Sequence, residues 1–97
     1  MDEAPALKVR FTRHAVHQID QALDYIAAQS PQGERVLRER LRELIALLED
    51  HPSAGQQTSR AGVRRLPLSP HPYVLDYRLA QGAVVIMRFR HSARRPP

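Results

Sequence analysis

The chain has 97 residues, of which 42% are hydrophobic and 26% charged, and it carries a net charge of +5 at neutral pH. That length supports one domain with one modest core, and the composition is that of a globular chain rather than a disordered one. No unbroken apolar run exceeds residues 83–87, far short of the ~20 residues of a membrane helix, and the lack of cysteine excludes disulfides and thiolate chemistry.

The opening Met1-Asp2-Glu3-Ala4-Pro5 puts no basic stretch ahead of an apolar one, so no secretory signal is expected. Together with the missing cysteines this fits a cytoplasmic protein. Residues 1–6 read as a flexible tail. Residues 8–12 alternate polar and apolar, which predicts a short strand. From His14 the period changes: Val16, Ile19, Leu23 and Ile26 fall on one helical face. Ser30-Pro31 ends that helix and starts another, with Ser30 as N-cap and Pro31 in the first turn. Leu37, Leu41, Leu44 and Leu48 form the stripe of the second helix, widened by Ile45. Glu34, Arg38, Glu39, Arg42 and Glu43 make its solvated face. The tight connection implies an antiparallel helix pair, and two such stripes need a sheet to pack on.

His51-Pro52 ends the second helix, and the polar residues 53–62 read as a loop. Three strands are predicted after it, at residues 63–69, 73–79 and 83–91. Pro67 favours an edge or a bulge in the first, and Ala80-Gln81-Gly82 reads as a hairpin turn. Residues 92–97 read as a second flexible tail. The expected fold is α+β: an N-terminal strand, an antiparallel helix hairpin and a three-stranded antiparallel meander in one sheet, with residues 1–97 as a single domain.

Charge divides the chain. Residues 1–50 carry seven basic and nine acidic side chains, whereas residues 51–97 carry eight arginines and a single acid, Asp76. Arginine's planar fork suits carboxylates and phosphates, so the second half suits an acidic partner. Strand parity puts Tyr73, Leu75, Tyr77 and Leu79 on the core face, together with Val85, Met87, Phe89 and His91. Arg78, Arg88 and Arg90 fall on the opposite face, with Val84 and Ile86. Arg64 shares the parity of Leu66 and Leu68, and Arg65 has the other. Asp76 is expected to pair with Arg78 or Arg88, and Arg64 or Arg65 with acids of the second helix. His14 and His17 stand at the i,i+3 spacing of metal ligands, but no third ligand lies nearby in sequence, so no metal site is assigned. No glycine-rich phosphate loop or Ser-His-Asp pattern is present, and no cofactor is expected.

Several segments carry a family pattern. Ala15, Ile19 and Tyr25-Ile26 lie in the first helix, and Leu48, Pro52 and Gly55 at the end of the second. Gly62-Val63-Arg64-Arg65-Leu66 has the form G-x-R-x-L, and Tyr73-Val74-Leu75-Asp76-Tyr77-Arg78 the form Y-x-x-x-Y-R. Residues 85–91 close the pattern, followed by Arg94-Arg95-Pro96. In this order and spacing, from about residue 9 to residue 96, the chain resembles the RelE/ParE superfamily of type II toxin–antitoxin toxins, closest to its ParE-like branch.

The resemblance implies a β-α-α-β-β-β fold, a ParD-like protein antitoxin in a hetero-oligomer, and one of two targets. ParE-like members act on DNA gyrase; RelE-like members cleave messenger RNA on the ribosome. Metal-free RNA cleavage needs a base, an acid and cations around one phosphate. Arg64, Arg78 and Arg88 are candidate cations and His91 a candidate acid or base. The aromatic or histidine partner often found at the C-terminal end of the nucleases is missing, since Ser92 and Ala93 follow His91. The expected function is therefore gyrase inhibition. Arg64, Arg65, Arg78, Arg88, Arg90, His91, Arg94 and Arg95 are the candidates for contact with target or antitoxin. The alternatives are an mRNA endonuclease and a non-toxic module that only binds antitoxin.

Overall fold

The computed structural model describes residues 7–93. The proposed tail at residues 1–6, and Arg94 and Arg95, lie outside the described residues. The chain runs β1 (Lys8–Phe11), α1 (Arg13–Gln29), α2 (Pro31–Asp50), β2 (Gln56–Gln57), β3 (Arg64–Pro67), β4 (Tyr73–Ala80) and β5 (Ala83–His91). One sheet has the order β1-β5-β4-β3-β2, with β1 parallel to β5 and the remaining pairs antiparallel. The α+β layout expected from the sequence is present. β2 is an addition within the segment read as a loop: its two glutamines carry no apolar alternation, and only their pairing with Arg64 and Arg65 makes them a strand.

Local chemistry accounts for the helix boundaries. Thr12 caps α1, its hydroxyl accepting from the Ala15 N–H at 3.0 Å. Ser30 closes α1 and caps α2, its Oγ accepting from the Gly33 N–H at 2.9 Å with Pro31 next in line. Leu37, Leu41, Leu44 and Leu48 are all buried, as their spacing predicts. In α1 the expectation fails at one position: Val16 is 45% exposed and Ala15 is buried instead. The face that meets the sheet is Ala15, Ile19 and Leu23, one small residue and two large ones. A scan for large apolar side chains passes over the alanine, whose small size suits a close helix–sheet approach.

Parity also fails in part, for an identifiable reason. Asp76 pairs with Arg88, but Tyr77 pairs with Ile86, leaving Met87 unopposed in a β-bulge. An extra residue inverts the faces of β5 on the near side of it. Val84 and Ile86 are therefore fully buried, whereas Val85 and Met87 are only partly so. Beyond the bulge the expected parity holds, with Phe89 inward. Leu79 has core parity but is 51% exposed, since it lies next to the Gln81-Gly82 turn at the end of the sheet. Both turn residues have positive φ, 52° and 75°, as a tight hairpin requires.

Tyr77 fastens the sheet to the loop after α2. Its hydroxyl donates to the Pro52 carbonyl at 2.7 Å and accepts from the buried Gly55 N–H at 2.8 Å. A Cβ at Gly55 would lie 2.7 Å from the Tyr77 ring and 2.9 Å from the Arg65 carbonyl, so only glycine fits. Tyr77→Phe strands a buried amide and should cost about 1–3 kcal/mol of unfolding free energy in urea titration. Gly55→Ala should cost at least as much. Losses below about 0.5 kcal/mol, the range of neutral surface substitutions, would contradict this role.

Candidate functional site

Helices cover one face of the sheet, and the other is open and arginine-rich. Cross-strand pairing arranges it in rows. Arg10 on β1 neighbours Val85, which neighbours Arg78. Arg88 neighbours Asp76, then Arg65, then Gln56. Arg90 neighbours Val74, then Pro67. The bulge leaves Arg88 and Arg90 on this face while turning Ile86 to the core. Sequence reasoning missed Arg10 as a member of the face. Its alternation with Val9 and Phe11 was visible, but the parallel pairing of β1 beside β5 was not.

Asp76 is the only acid of this half and is 4% exposed. Its partner is not Arg78 or Arg88, as expected, but Arg65, which makes a bidentate pair: Nε to Oδ1 at 2.7 Å and Nη2 to Oδ2 at 3.2 Å. Arg65 and Asp76 are directly paired across β3 and β4, which brings the guanidinium to the carboxylate in a bidentate fork. The hydrogen bonds it donates to Asp76 hold the Arg65 guanidinium above its ordinary range, against a smaller opposing effect of burial. Because the shift lies on the arginine, its own titration removes this contribution only above the ordinary arginine range, and the pair is constant across neutral pH.

Arg64 points elsewhere. Its Nη1 donates to the Gly55 carbonyl at 2.7 Å and to the Ser53 carbonyl at 3.3 Å, bracing the loop that Tyr77 also holds. Neither Arg64 nor Arg65 meets the acids of α2, against expectation. Those acids pair on their own helix, Glu34 with Arg38 at 2.7 Å, Glu43 with Arg40 at 2.9 Å and Glu39 with Arg42 at 3.3 Å. His91 lies on the helix side at the end of β5. Its Nδ1 accepts from the Ala93 N–H at 3.2 Å, and its ring stands edge-on to Tyr73 at 5.3 Å.

The four candidate nuclease residues line three different depressions. Arg64 and Arg78 border one of about 360 Å³ at the β2–β3 connection, shared with Arg60. Arg88 borders one of about 330 Å³ on the open face, with Arg65 and Asp76. His91 borders one of about 660 Å³ against α1. Tyr73 and Tyr77 are core residues, as their parity predicts. The open face offers a dense array of cations for an anionic surface, while the histidine looks into a separate space. Among the described residues no helix is long and apolar enough to cross a membrane.

Comparison with known proteins agrees with this architecture. The model of the ParE toxin of type II toxin–antitoxin systems, parDE, matches residues 9–96. Toxin RelE2 of Caulobacter vibrioides is 34% identical over 87 residues, 90% of this chain and 97% of that protein. The putative toxin Y4kP of Sinorhizobium fredii is 24% identical over 93% of each chain. Among solved structures, the chromosomal ParDE system of P. aeruginosa aligns with a TM-score of 0.78 at 21% identity, covering 89% of this chain and 96% of that one. The RelBE2 toxin–antitoxin complex of Mycobacterium tuberculosis aligns at 0.66 and 24% identity, covering 97% and 100%. These likenesses in structure concern the fold. The chain belongs to the ParE toxin family of type II toxin–antitoxin systems.

The geometry separates a structural arginine from an available one. Arg65→Ala leaves a buried carboxylate unpaired and should cost about 1–3 kcal/mol, constant across neutral pH. Arg78→Ala, on an exposed side chain, should cost less than about 0.5 kcal/mol. Urea unfolding of the two variants checks this, and equal losses would refute it.

Proposed function

We propose that this ParE-family toxin arrests growth by inhibiting DNA gyrase and that a ParD-like antitoxin neutralises it in a cytoplasmic hetero-oligomer. The observation that carries the choice of target is that Arg64 and His91 do not join Arg78 and Arg88 on the open face. Cleavage of RNA without a metal requires its acid, base and cations within hydrogen-bond reach of one phosphate. Arg64 is occupied by two backbone carbonyls, and His91 faces α1. Inhibition of a protein target needs only a complementary surface, which the open face supplies.

Arg10, Arg78, Arg88 and Arg90 would be the contacts there, with Arg65 held in place by Asp76. Arg64, His91, Arg94 and Arg95 extend the candidate set around it. A surface with this charge attracts acidic segments and steers their approach. An acidic antitoxin segment that orders on binding would cover it and block the target. The solved structural neighbours include toxin–antitoxin complexes, which supports such a partner. The likeness to a relative named RelE2 favours the second reading, an mRNA endonuclease acting on the ribosome.

The purified chain should inhibit supercoiling of relaxed plasmid by gyrase and promote its DNA cleavage. Arg78→Ala combined with Arg88→Ala should weaken inhibition by about tenfold or more while the protein stays folded. No inhibition at toxin excess would refute the gyrase reading.

A further inference from the structure

The connection between β2 and β3, residues 58–63, stands between two depressions of the arginine face. Arg78 borders one of them and Arg88 the other, while Thr58, Arg60 and Val63 border both. Residues 59–62 are all exposed, whereas Val63 at the foot of the connection is buried. The connection is therefore a ridge with a hollow on each flank, and Arg60 stands on its crest. Reading the sequence for charged strand faces passes over this arginine, because it lies in a polar segment without strand parity.

Thr58 ties the two ends of the ridge together. Its N–H donates to the Val63 carbonyl at 3.1 Å, and its hydroxyl donates to the same carbonyl at 2.9 Å. That hydroxyl also accepts from the Arg60 N–H at 3.2 Å, and the Arg60 carbonyl accepts from the Val63 N–H at 3.1 Å. Gly62 closes the turn at a φ of 77°, with nothing within 4 Å of an added Cβ, so backbone conformation and not space calls for glycine there. These bonds fix the backbone of Arg60 but leave its side chain uncommitted. Among the described residues the Arg60 guanidinium makes no ion pair and no hydrogen bond. Arg64 and Arg65 differ, since backbone carbonyls hold the first and Asp76 the second. A free fork on a fixed mount is preorganised for a planar anion and loses little backbone freedom on binding.

We propose that this ridge seats in an acidic groove on the protein surface of gyrase, with Arg60 as a contact residue that closes on a carboxylate and Thr58 as its positioning residue. The proposal rests on the reading of gyrase as the target. A carboxylate entering the hollow on one flank meets Arg60 and Arg78, and one entering the other meets Arg60 and Arg88. Asp76 is the only acid at either hollow and is already held by Arg65, so no free acid opposes an incoming carboxylate. Carboxylates on the two walls of a protein groove straddle a ridge. The phosphates of a nucleic acid follow one another along a continuous backbone, and the ridge interrupts such a path between Arg78 and Arg88.

Titration of gyrase with the full chain in the absence of DNA, beside inhibition of supercoiling and the melting temperature of each variant, tests the proposal. Arg60→Ala should weaken binding and inhibition by about tenfold or more with an unchanged melting temperature, since the side chain is exposed and unpaired. Arg60→Lys keeps the charge without the fork and should stay at least about threefold weaker than the wild type. Thr58→Val keeps every charge and should also weaken binding by about threefold or more, whereas Thr58→Ser retains the hydroxyl and should bind as the wild type does. Arg35→Ala removes a cation from the exposed side of α2 and should bind normally. Wild-type binding by Arg60→Ala, or an equal loss in Arg35→Ala, would overturn the ridge contact and leave the gyrase reading intact. Inhibition by a wild-type chain that binds only when DNA is present would also overturn it, because the anion would then be a phosphate. A wild-type chain that leaves gyrase active at toxin excess would overturn the gyrase reading and the ridge contact together.

Discussion

One unopposed residue, Met87, organises the sheet. Without the bulge, strict alternation through β5 would put Val84 and Ile86 on the face of Arg88 and Arg90. Both apolar side chains would then leave the core, at a cost of about 1.5–3 kcal/mol each. With the bulge, β5 buries Val84 and Ile86 at one end and Phe89 at the other. It still presents Arg88 and Arg90 outward. A single register irregularity thus lets one strand serve a continuous core and a continuous cationic face.

β4 transmits that division across the sheet. Tyr77 on its inner side ties the loop after α2 through two hydrogen bonds, and the loop carbonyls at Ser53 and Gly55 in turn hold Arg64. Asp76 on its outer side holds Arg65 through two hydrogen bonds. Two of the arginines therefore serve the architecture. Counting charge alone would not separate these two from Arg78 and Arg88. Arg10 enters the face from the other half of the chain, across the parallel pairing with β5.

Much of the fold is legible in the sequence because its signals are local. The leucine stripe of α2, the Ser30-Pro31 junction and the bounds of β5 depend on residues a few positions apart. The features that escape are those decided by partners distant in sequence. Alternation cannot register a bulge, because the extra residue is defined only by the strand opposite. Sequence logic points Asp76 to Arg78 or Arg88; register sets Arg65 and Arg88 on either side of it, and the side chain that closes on it is Arg65. Ala15 and not Val16 is buried with Ile19 and Leu23, a choice of helix face that the spacing of large apolar residues does not reveal. The site was partly legible for the same reason. Arg78, Arg88 and Arg90 on the open face and His91 on the helix side follow from parity, whereas the turn of Arg64 toward the loop depends on tertiary packing.

The account's central claim is that this surface arrests growth by engaging a protein target and not by cutting RNA. Following DNA breaks and mRNA 5′ ends in the same culture, after induction of the toxin without its antitoxin, tests it most directly. The account predicts DNA breaks and filamentous cells while transcripts stay intact. Codon-phased cleavage of ribosome-bound transcripts with intact DNA would contradict it.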